Sequence, residues 1–138
     1  YHTDGHAYVD QAVARGAAAV VVDARQWDEP TPDGVTLVAV IDSRVALAPL
    51  AAAFYGYPAR SLRTIGITGT KGKSTTTSLA SQLLDGCGRQ TGLISTVEFK
   101  VGPRRWANST RQSTPEAPQV QALLAEMLAA GCDTAVVE

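Results

Sequence analysis

Gly66-Ile67-Thr68-Gly69-Thr70-Lys71-Gly72-Lys73-Ser74-Thr75-Thr76 is the stretch that decides the fold. It ends an apolar, β-branched run from Leu62 to Thr68 and opens a helical pattern from Lys73 to about Leu84, closed by Gly86 and Gly88. Strand, glycine-rich turn and helix in that order form the context of a phosphate-binding loop. A nucleotide triphosphate carries several negative charges, and successive backbone N–H groups wrap them with little bulk where glycines permit the turn. The helix then aims its unpaired N–H groups and the positive end of its dipole at the phosphates. Lys73 can reach phosphate oxygens, and the Ser74 hydroxyl is placed to ligate Mg²⁺. The strict loop pattern wants glycine where Ile67 stands; the glycines fall at 66, 69 and 72 instead. An ordinary glycine-rich turn is the alternative, and it leaves the flanking strand and helix unexplained.

Upstream, Asp10 to Gly16 reads as a short helix stopped by glycine, and Ala17 to Asp23 as a strand buried on both faces. A loop with Pro30, Pro32 and Gly34 leads to a second apolar run, Val35 to Ile41. Asp42 or Ser43 is an N-cap for a helix from Arg44 to Tyr55, although Pro49 speaks against its running uninterrupted. Gly56-Tyr57-Pro58 marks a domain boundary near Pro58, giving 1–58 and 59–138. Downstream, Thr91 to Thr96 reads as a further parallel strand, and Val97 to Val101 as one arm of a hairpin that turns at Gly102-Pro103 and returns around Trp106. In Ser113-Thr114-Pro115-Glu116, Thr114 reads as the N-cap of a helix to about Ala130, with Val120, Leu123, Leu124, Met127 and Leu128 on one face. Thr134 to Val137 is a buried strand ending at Glu138. Alternating strands and helices predict an α/β fold with a mainly parallel sheet.

Composition narrows the function classes. With 138 residues, 45% hydrophobic and 18% charged, the chain can bury a core, which excludes disorder. Twelve basic against 13 acidic side chains, net charge −1, leave no electrostatic case for a nucleic-acid or membrane-surface partner. Arg15, Asp23, Asp42 and Arg44 interrupt the apolar stretches, so no run spans a bilayer. Cys87 and Cys132 lie far apart and suggest two reduced thiols of a cytosolic protein. Asn108-Ser109-Thr110 matches the glycosylation sequon, a chance match where no secretory signal is seen. Because the sequence opens on Tyr1-His2-Thr3-Asp4 in mid-pattern, it is expected to be a piece of something longer.

The remaining candidates are read on position. Glu138, at the C-terminal end of an apolar strand, would face the crevice of the phosphate loop and could help hold Mg²⁺; a solvated terminal residue is an equal alternative. His2 and His6 read as turn or surface residues, and Arg104, Arg105 and Arg111 with Trp106 as a solvated face.

The loop resembles the ATP loop of the Mur ligases, whose pattern G-x-x-G-T-x-G-K-[ST] accounts for the displaced glycine. Asp4-Gly5-His6-Ala7-Tyr8-Val9 is similar to the family's D-G-H-x-F-[IV], and Phe54-Tyr55-Gly56-Tyr57-Pro58 to the end of its first domain. Gln112-Ser113-Thr114-Pro115-Glu116 is similar to its T-T-P-E, and Val137-Glu138 to the opening of its E-x-S-S-H. Lys71 stands where asparagine is commoner, and Ser113 replaces a threonine.

The resemblance implies that Gly69, Thr70, Lys71, Gly72, Lys73, Ser74 and Thr75 bind ATP, with Lys73 catalytic and Ser74 and Glu138 holding Mg²⁺. It further implies that Gln112, Ser113 and Thr114 contact a UDP-N-acetylmuramoyl dipeptide, with Tyr1, His2 and Thr3 nearer its uridine end. Residues 1–58 would close a UDP-substrate domain and 59–138 would begin an ATP-binding domain. The implied reaction is ATP-driven amide formation through an acyl phosphate, adding an amino acid in peptidoglycan synthesis. A monomeric cytoplasmic enzyme is expected, inactive as this piece alone. The alternatives are a folyl-polyglutamate or cyanophycin ligase of the same superfamily, or a non-catalytic nucleotide-binding module.

Overall fold

Contacts in the computed structural model, which describes residues 4–110 and 112–138, gather into two units, Tyr1–Leu47 and Ala48–Glu138. The first begins with a short 3-10 turn, Gly5–Tyr8, in which Asp4 Oδ1 accepts the His6 N–H at 3.0 Å. Helix α1 (Val9–Ala14) follows and ends before Gly16, whose φ of +93° suits glycine. Strands β1 (Ala19–Asp23) and β2 (Thr36–Val40) pair in parallel, Ala19 beside Thr36. Val9, Val20 and Val22 form the core, with Val13, Ala17, Trp27, Val35 and Leu37 against it. Contrary to expectation, β1 is buried on one face only: Val21 is exposed, as is Val38 of β2. A two-stranded sheet with one short helix supplies a single apolar layer, so every second valine stays uncovered.

Helix α2 (Ser43–Phe54) spans the division between the units. Asp42 is its cap, Oδ1 accepting the N–H groups of Arg44 at 2.9 Å and Val45 at 3.0 Å. The helix runs uninterrupted through Pro49, contrary to expectation. One rung is lost there, but the aspartate cap at one end and a Schellman end at the other hold the alanine- and leucine-rich turns on both sides. In that end Gly56 takes φ +73°, its N–H bonds Ala53 O at 3.0 Å, and the Tyr57 N–H bonds Ala52 O at 2.7 Å.

The second unit contains β3 (Arg63–Gly66), α3 (Lys73–Gly86), β4 (Thr91–Ile94), β5 (Glu98–Val101), β6 (Arg104–Ala107), α4 (Ala117–Ala129) and β7 (Thr134–Val137). They form one sheet of order β3-β7-β4-β5-β6. The last strand, β7, inserts between β3 and β4, parallel to both, with Thr134 beside Arg63 and Thr91. The expected hairpin β5–β6 joins β4 antiparallel, so the α/β sheet is parallel across β3, β7 and β4 and antiparallel from β4 to β6.

Alternation along the strands sends two sets of side chains to two helices. Ile94, Phe99, Val101 and Ala135 meet Leu123, Leu124 and Met127 of α4 in the main core. Gly92 lies under α4 so closely that a Cβ there would overlap the Met127 side chain. Thr91 faces α3 instead, its hydroxyl 2.7 Å from that of Ser81. One expectation fails at α4, which starts at Ala117 with Glu116 as the cap position and a proline in its first turn. Thr114 does not cap it, because its hydroxyl donates to the Glu138 carbonyl at 2.6 Å. That bond ties the segment to the end of β7 before the helix can begin.

Candidate functional site

Strands β3, β7 and β4 run in parallel, so the segments leaving their C-terminal ends share one edge of the sheet, where α/β proteins bind ligands. The loop from Ile67 to Gly72 leaves β3, Glu138 leaves β7, and Ser95-Thr96 leaves β4. Gly69 has φ +149° and Gly72 φ +75°, conformations that L side chains rarely adopt. A Cβ on Gly72 would meet nothing within 4 Å, so glycine is required there by backbone shape and not by space. The first bond of α3 runs from the Thr76 N–H to Gly72 O at 2.9 Å. No side chain caps Gly72, which leaves the N–H groups of the first turn, Lys73 to Thr75, directed at whatever fills the loop. Lys73 and Ser74 are half-buried in that turn; Thr70, Lys71 and Thr75 are exposed.

The buried Glu138 carboxylate meets this turn from the side. Thr96 holds both of its oxygens, the amide N–H bonding Oε2 at 3.0 Å and the hydroxyl bonding Oε1 at 2.9 Å. Burial pushes its pKa up, but the Thr96 amide, the Ser74 and Thr96 hydroxyls and the Lys73 charge outweigh it and hold the carboxyl below the ordinary glutamate value. Lys73, Ser74 and Glu138, chosen from the sequence, therefore lie together. Thr96 was not chosen from the sequence: its role depends on β4 and β7 being neighbours, and only its place just past a strand end could have marked it.

The Gln112-Ser113-Thr114 strip reaches the same edge. Ser113 Oγ lies 3.0 Å from the Thr96 hydroxyl, and Thr114 bonds the Glu138 carbonyl. Gln112 is exposed, its carbonyl bonded to Asn108. Tyr1, His2 and Thr3 lie outside the described residues, as does Arg111.

Other candidates take structural parts. His6 accepts the Asp23 N–H on Nε2 at 3.0 Å, which places its proton on Nδ1, 2.6 Å from Asp4, so it pins the first turn to the end of β1. Arg104 pairs with Glu126 at 2.6 Å and lies over the Trp106 ring, while Arg105 pairs with Glu98 at 3.0 Å. The first unit has a cavity of about 580 Å³ lined by Asp4, His6, Asp23, Asp42 and Arg44. Three carboxylates to one guanidinium make a poor lining for an anion.

The donor set fits magnesium. Ser74 and Glu138 offer one hydroxyl and one carboxylate, and among the described residues no group of three or more His, Cys, Asp or Glu could hold a metal by itself. Mg²⁺ is commonly held by one or two carboxylates, with substrate phosphates and waters completing the shell. The glycine loop, the uncapped helix and the carboxylate facing it define a phosphate-loop α/β protein.

Residues 67–138, just over half of the chain, match the family described as Mur ligase middle domain, and residues 1–55 match the one described as Mur ligase family, catalytic domain. The chain belongs to the Mur ligase family. It is 59% identical over 138 residues to a protein of Roseiflexus sp. (strain RS-1) named UDP-N-acetylmuramyl-tripeptide synthetase, covering 100% of this chain and 27% of that protein. A Geobacillus kaustophilus (strain HTA426) protein named UDP-N-acetylmuramoyl-L-alanyl-D-glutamate--2,6-diaminopimelate ligase is 43% identical over 138 residues, again 100% of this chain and 27% of the relative. The chain thus spans about a quarter of the length of the curated relatives it matches. A solved structure of a UDP-N-acetylmuramoyl-L-alanyl-D-glutamate--2,6-diaminopimelate ligase superposes with a TM-score of 0.70 at 23% identity, covering 94% of this chain and 25% of that one, a likeness of fold. Among the described residues no helix is long and apolar enough to cross a membrane.

Proposed function

We propose that the chain is part of a MurE-type, ATP-dependent cytoplasmic ligase that adds the third amino acid to UDP-N-acetylmuramoyl-L-alanyl-D-glutamate in peptidoglycan synthesis. The observation that carries this reading is the meeting of Lys73, Ser74 and Glu138 at the uncapped start of α3, with the Gln112-Ser113-Thr114 strip bonded beside it to the Glu138 main-chain carbonyl and to Thr96. Names of relatives identical at 43% and 59% over the whole chain support the substrate class. Residues 1–58 are read as the close of the domain that receives the UDP end, through Tyr1, His2 and Thr3, and 59–138 as the start of the ATP-binding domain. The complete protein is read as a monomer.

A carboxylate is a poor electrophile, and the reading has ATP activate it: the γ-phosphoryl group moves to the D-glutamyl carboxylate. ADP is released in that transfer. The amine of the incoming amino acid then attacks the acyl phosphate, and the C–N bond forms as the C–O bond to phosphate breaks. Phosphate leaves with that bond's electron pair, and the nitrogen gives up a proton to solvent. Backbone N–H groups of Gly69 to Thr75 hold the phosphates, and Lys73 sets its charge against the oxygens that gain charge during transfer. Ser74 and Glu138 would hold Mg²⁺, which screens phosphate charge and orients it for in-line transfer. Gln112, Ser113 and Thr114 place the glutamyl carboxylate opposite that phosphate. No side chain need act as a covalent nucleophile.

The test is phosphate release by the complete protein, dependent on both UDP-N-acetylmuramoyl-L-alanyl-D-glutamate and an amino acid. Lys73→Ala is expected to lower turnover by roughly 10²-fold or more, the scale of losing one transition-state charge contact. Near-normal turnover in that variant, or stimulation by folate in place of the muramoyl dipeptide, overturns the reading.

A further inference from the structure

We infer that Asn108 is a positioning residue for the Gln112-Ser113-Thr114 strip, setting affinity for the muramoyl dipeptide; this rests on the ligase reading above. Asn108 follows β6, is 6% exposed, and has its full side-chain bonding capacity in use. Nδ2 donates to the carbonyls of Ser95 and Gln112, both at 2.8 Å. Oδ1 accepts the Thr110 N–H at 3.0 Å and the Thr110 hydroxyl at 2.6 Å. The amide orientation is fixed by these partners, since reversing it would set an oxygen against two carbonyls and an NH₂ against an N–H.

Among the described residues, those between Asn108 and α4 belong to no strand, and the Asn108 side chain holds them where ladder bonds would otherwise do so. Three successive residues of the strip have three separate anchors: Gln112 by its carbonyl to Asn108, Ser113 by its hydroxyl to Thr96, and Thr114 by its hydroxyl to the Glu138 carbonyl. Two of these end on groups at the magnesium site, and the Asn108 anchor ends on Ser95, the residue before Thr96. Asn108 therefore fixes where the strip starts relative to the phosphate edge, while none of its bonds touches the phosphate loop or α3. The sequon Asn108-Ser109-Thr110 finds its reason here as well. The side-chain nitrogen a glycan would need is bonded twice in a buried position, and the asparagine-to-threonine spacing closes a local turn through Oδ1.

Removing the side chain leaves two carbonyls without donors and the strip with its first anchor gone, so the penalty falls on the dipeptide and spares ATP. The experiment uses the complete protein carrying Asn108→Ala or Asn108→Asp, the latter keeping size and an acceptor but lacking both donors. In the phosphate-release assay each is expected to raise KM for UDP-N-acetylmuramoyl-L-alanyl-D-glutamate about tenfold, a factor equal to about 1.4 kcal/mol, with KM for ATP within about twofold of wild type. Thr110→Val, a milder change that keeps both donors, is expected to raise the same KM about threefold, and it serves should the Asn108 variants not fold. An unchanged dipeptide KM, or equal rises in both KM values, overturns the inference. Amide hydrogen exchange separates this result from failure of the ligase reading. In Asn108→Ala the amides of 109–114 are expected to exchange at least about tenfold faster with those of α3 unchanged, whether or not the wild type releases phosphate. Unaltered exchange at 109–114 overturns the anchoring itself.

Discussion

A carboxylate whose two oxygens are both bonded to one residue is held in a single orientation, and at Glu138 that residue is Thr96. Supporting partners of this kind commonly change metal affinity by roughly 10–100-fold when lost. Thr96→Val keeps the amide N–H and deletes the hydroxyl, so the Mg²⁺ concentration for half-maximal phosphate release is expected to rise about tenfold, measured by metal titration of the complete protein. An unchanged midpoint would show that the amide alone suffices. Lys73 and Ser74 could be placed together from the sequence because they open a helix after a glycine loop, where the chemistry is local. Glu138, far from them along the chain, stood equal with a solvated terminal residue on position and was singled out by the family resemblance. Thr96 and Asn108 were not, because their meaning lies in partners 42 and 13 residues away.

At the scale of elements, α3 is held to the sheet by an unusual seam. Its buried residues are Thr77 and Ser81, while Leu79 and Leu83 stand exposed. Lys100 of β5, its side chain 5% exposed, donates to the Asp85 carboxylate and the Thr91 hydroxyl and lies 3.4 Å from the Ser81 hydroxyl. Breaking a buried ion pair from one side costs about 3–5 kcal/mol, and the partial exposure of Asp85 lowers the expectation for Asp85→Asn to about 2–3 kcal/mol. Exchange protection of α3 and β4 amides should fall accordingly. The double variant Asp85→Asn, Lys100→Met should recover part of the loss, because no buried cation is then left unpaired. The order of strands and helices was legible from periodicity and glycines; the seam was not, since a polar residue on a helix reads as solvent-facing until its partners are known. The start of α4 was misread for a related reason: Thr114 has the composition of a cap, but the Glu138 carbonyl takes its hydroxyl.

At the scale of the whole molecule, the two perturbed carboxyls of the second unit act in one direction. Asp85 is raised by burial but lowered further by Lys100 and Thr91, and Glu138 is lowered likewise by Thr96, Ser74 and Lys73. A group whose pKa is lower folded than unfolded adds stability above its unfolded value and loses it as pH falls through the folded value. Exchange protection in β4 and β7 is therefore expected to hold near neutrality and to decline below about pH 4, the ordinary carboxylate range, with Asp85→Asn showing a shallower decline. A decline beginning near pH 6 would point to a different group.

The seam under α3 has a mechanical consequence. Helices seated on oily side chains can slip past their neighbours in small shear steps, because dispersion contacts are nearly indifferent to direction. Bonds from Ser81, Thr91, Asp85 and Lys100 have fixed directions and fit together in one setting, as a key fits its slot. The helix that follows the phosphate loop is thus keyed to the sheet by directional bonds, which any sliding of it would have to break. On the proposed ligase reading, a response to phosphate charge falls to the side chains at its tip, Lys73 and Ser74, which lie outside the seam.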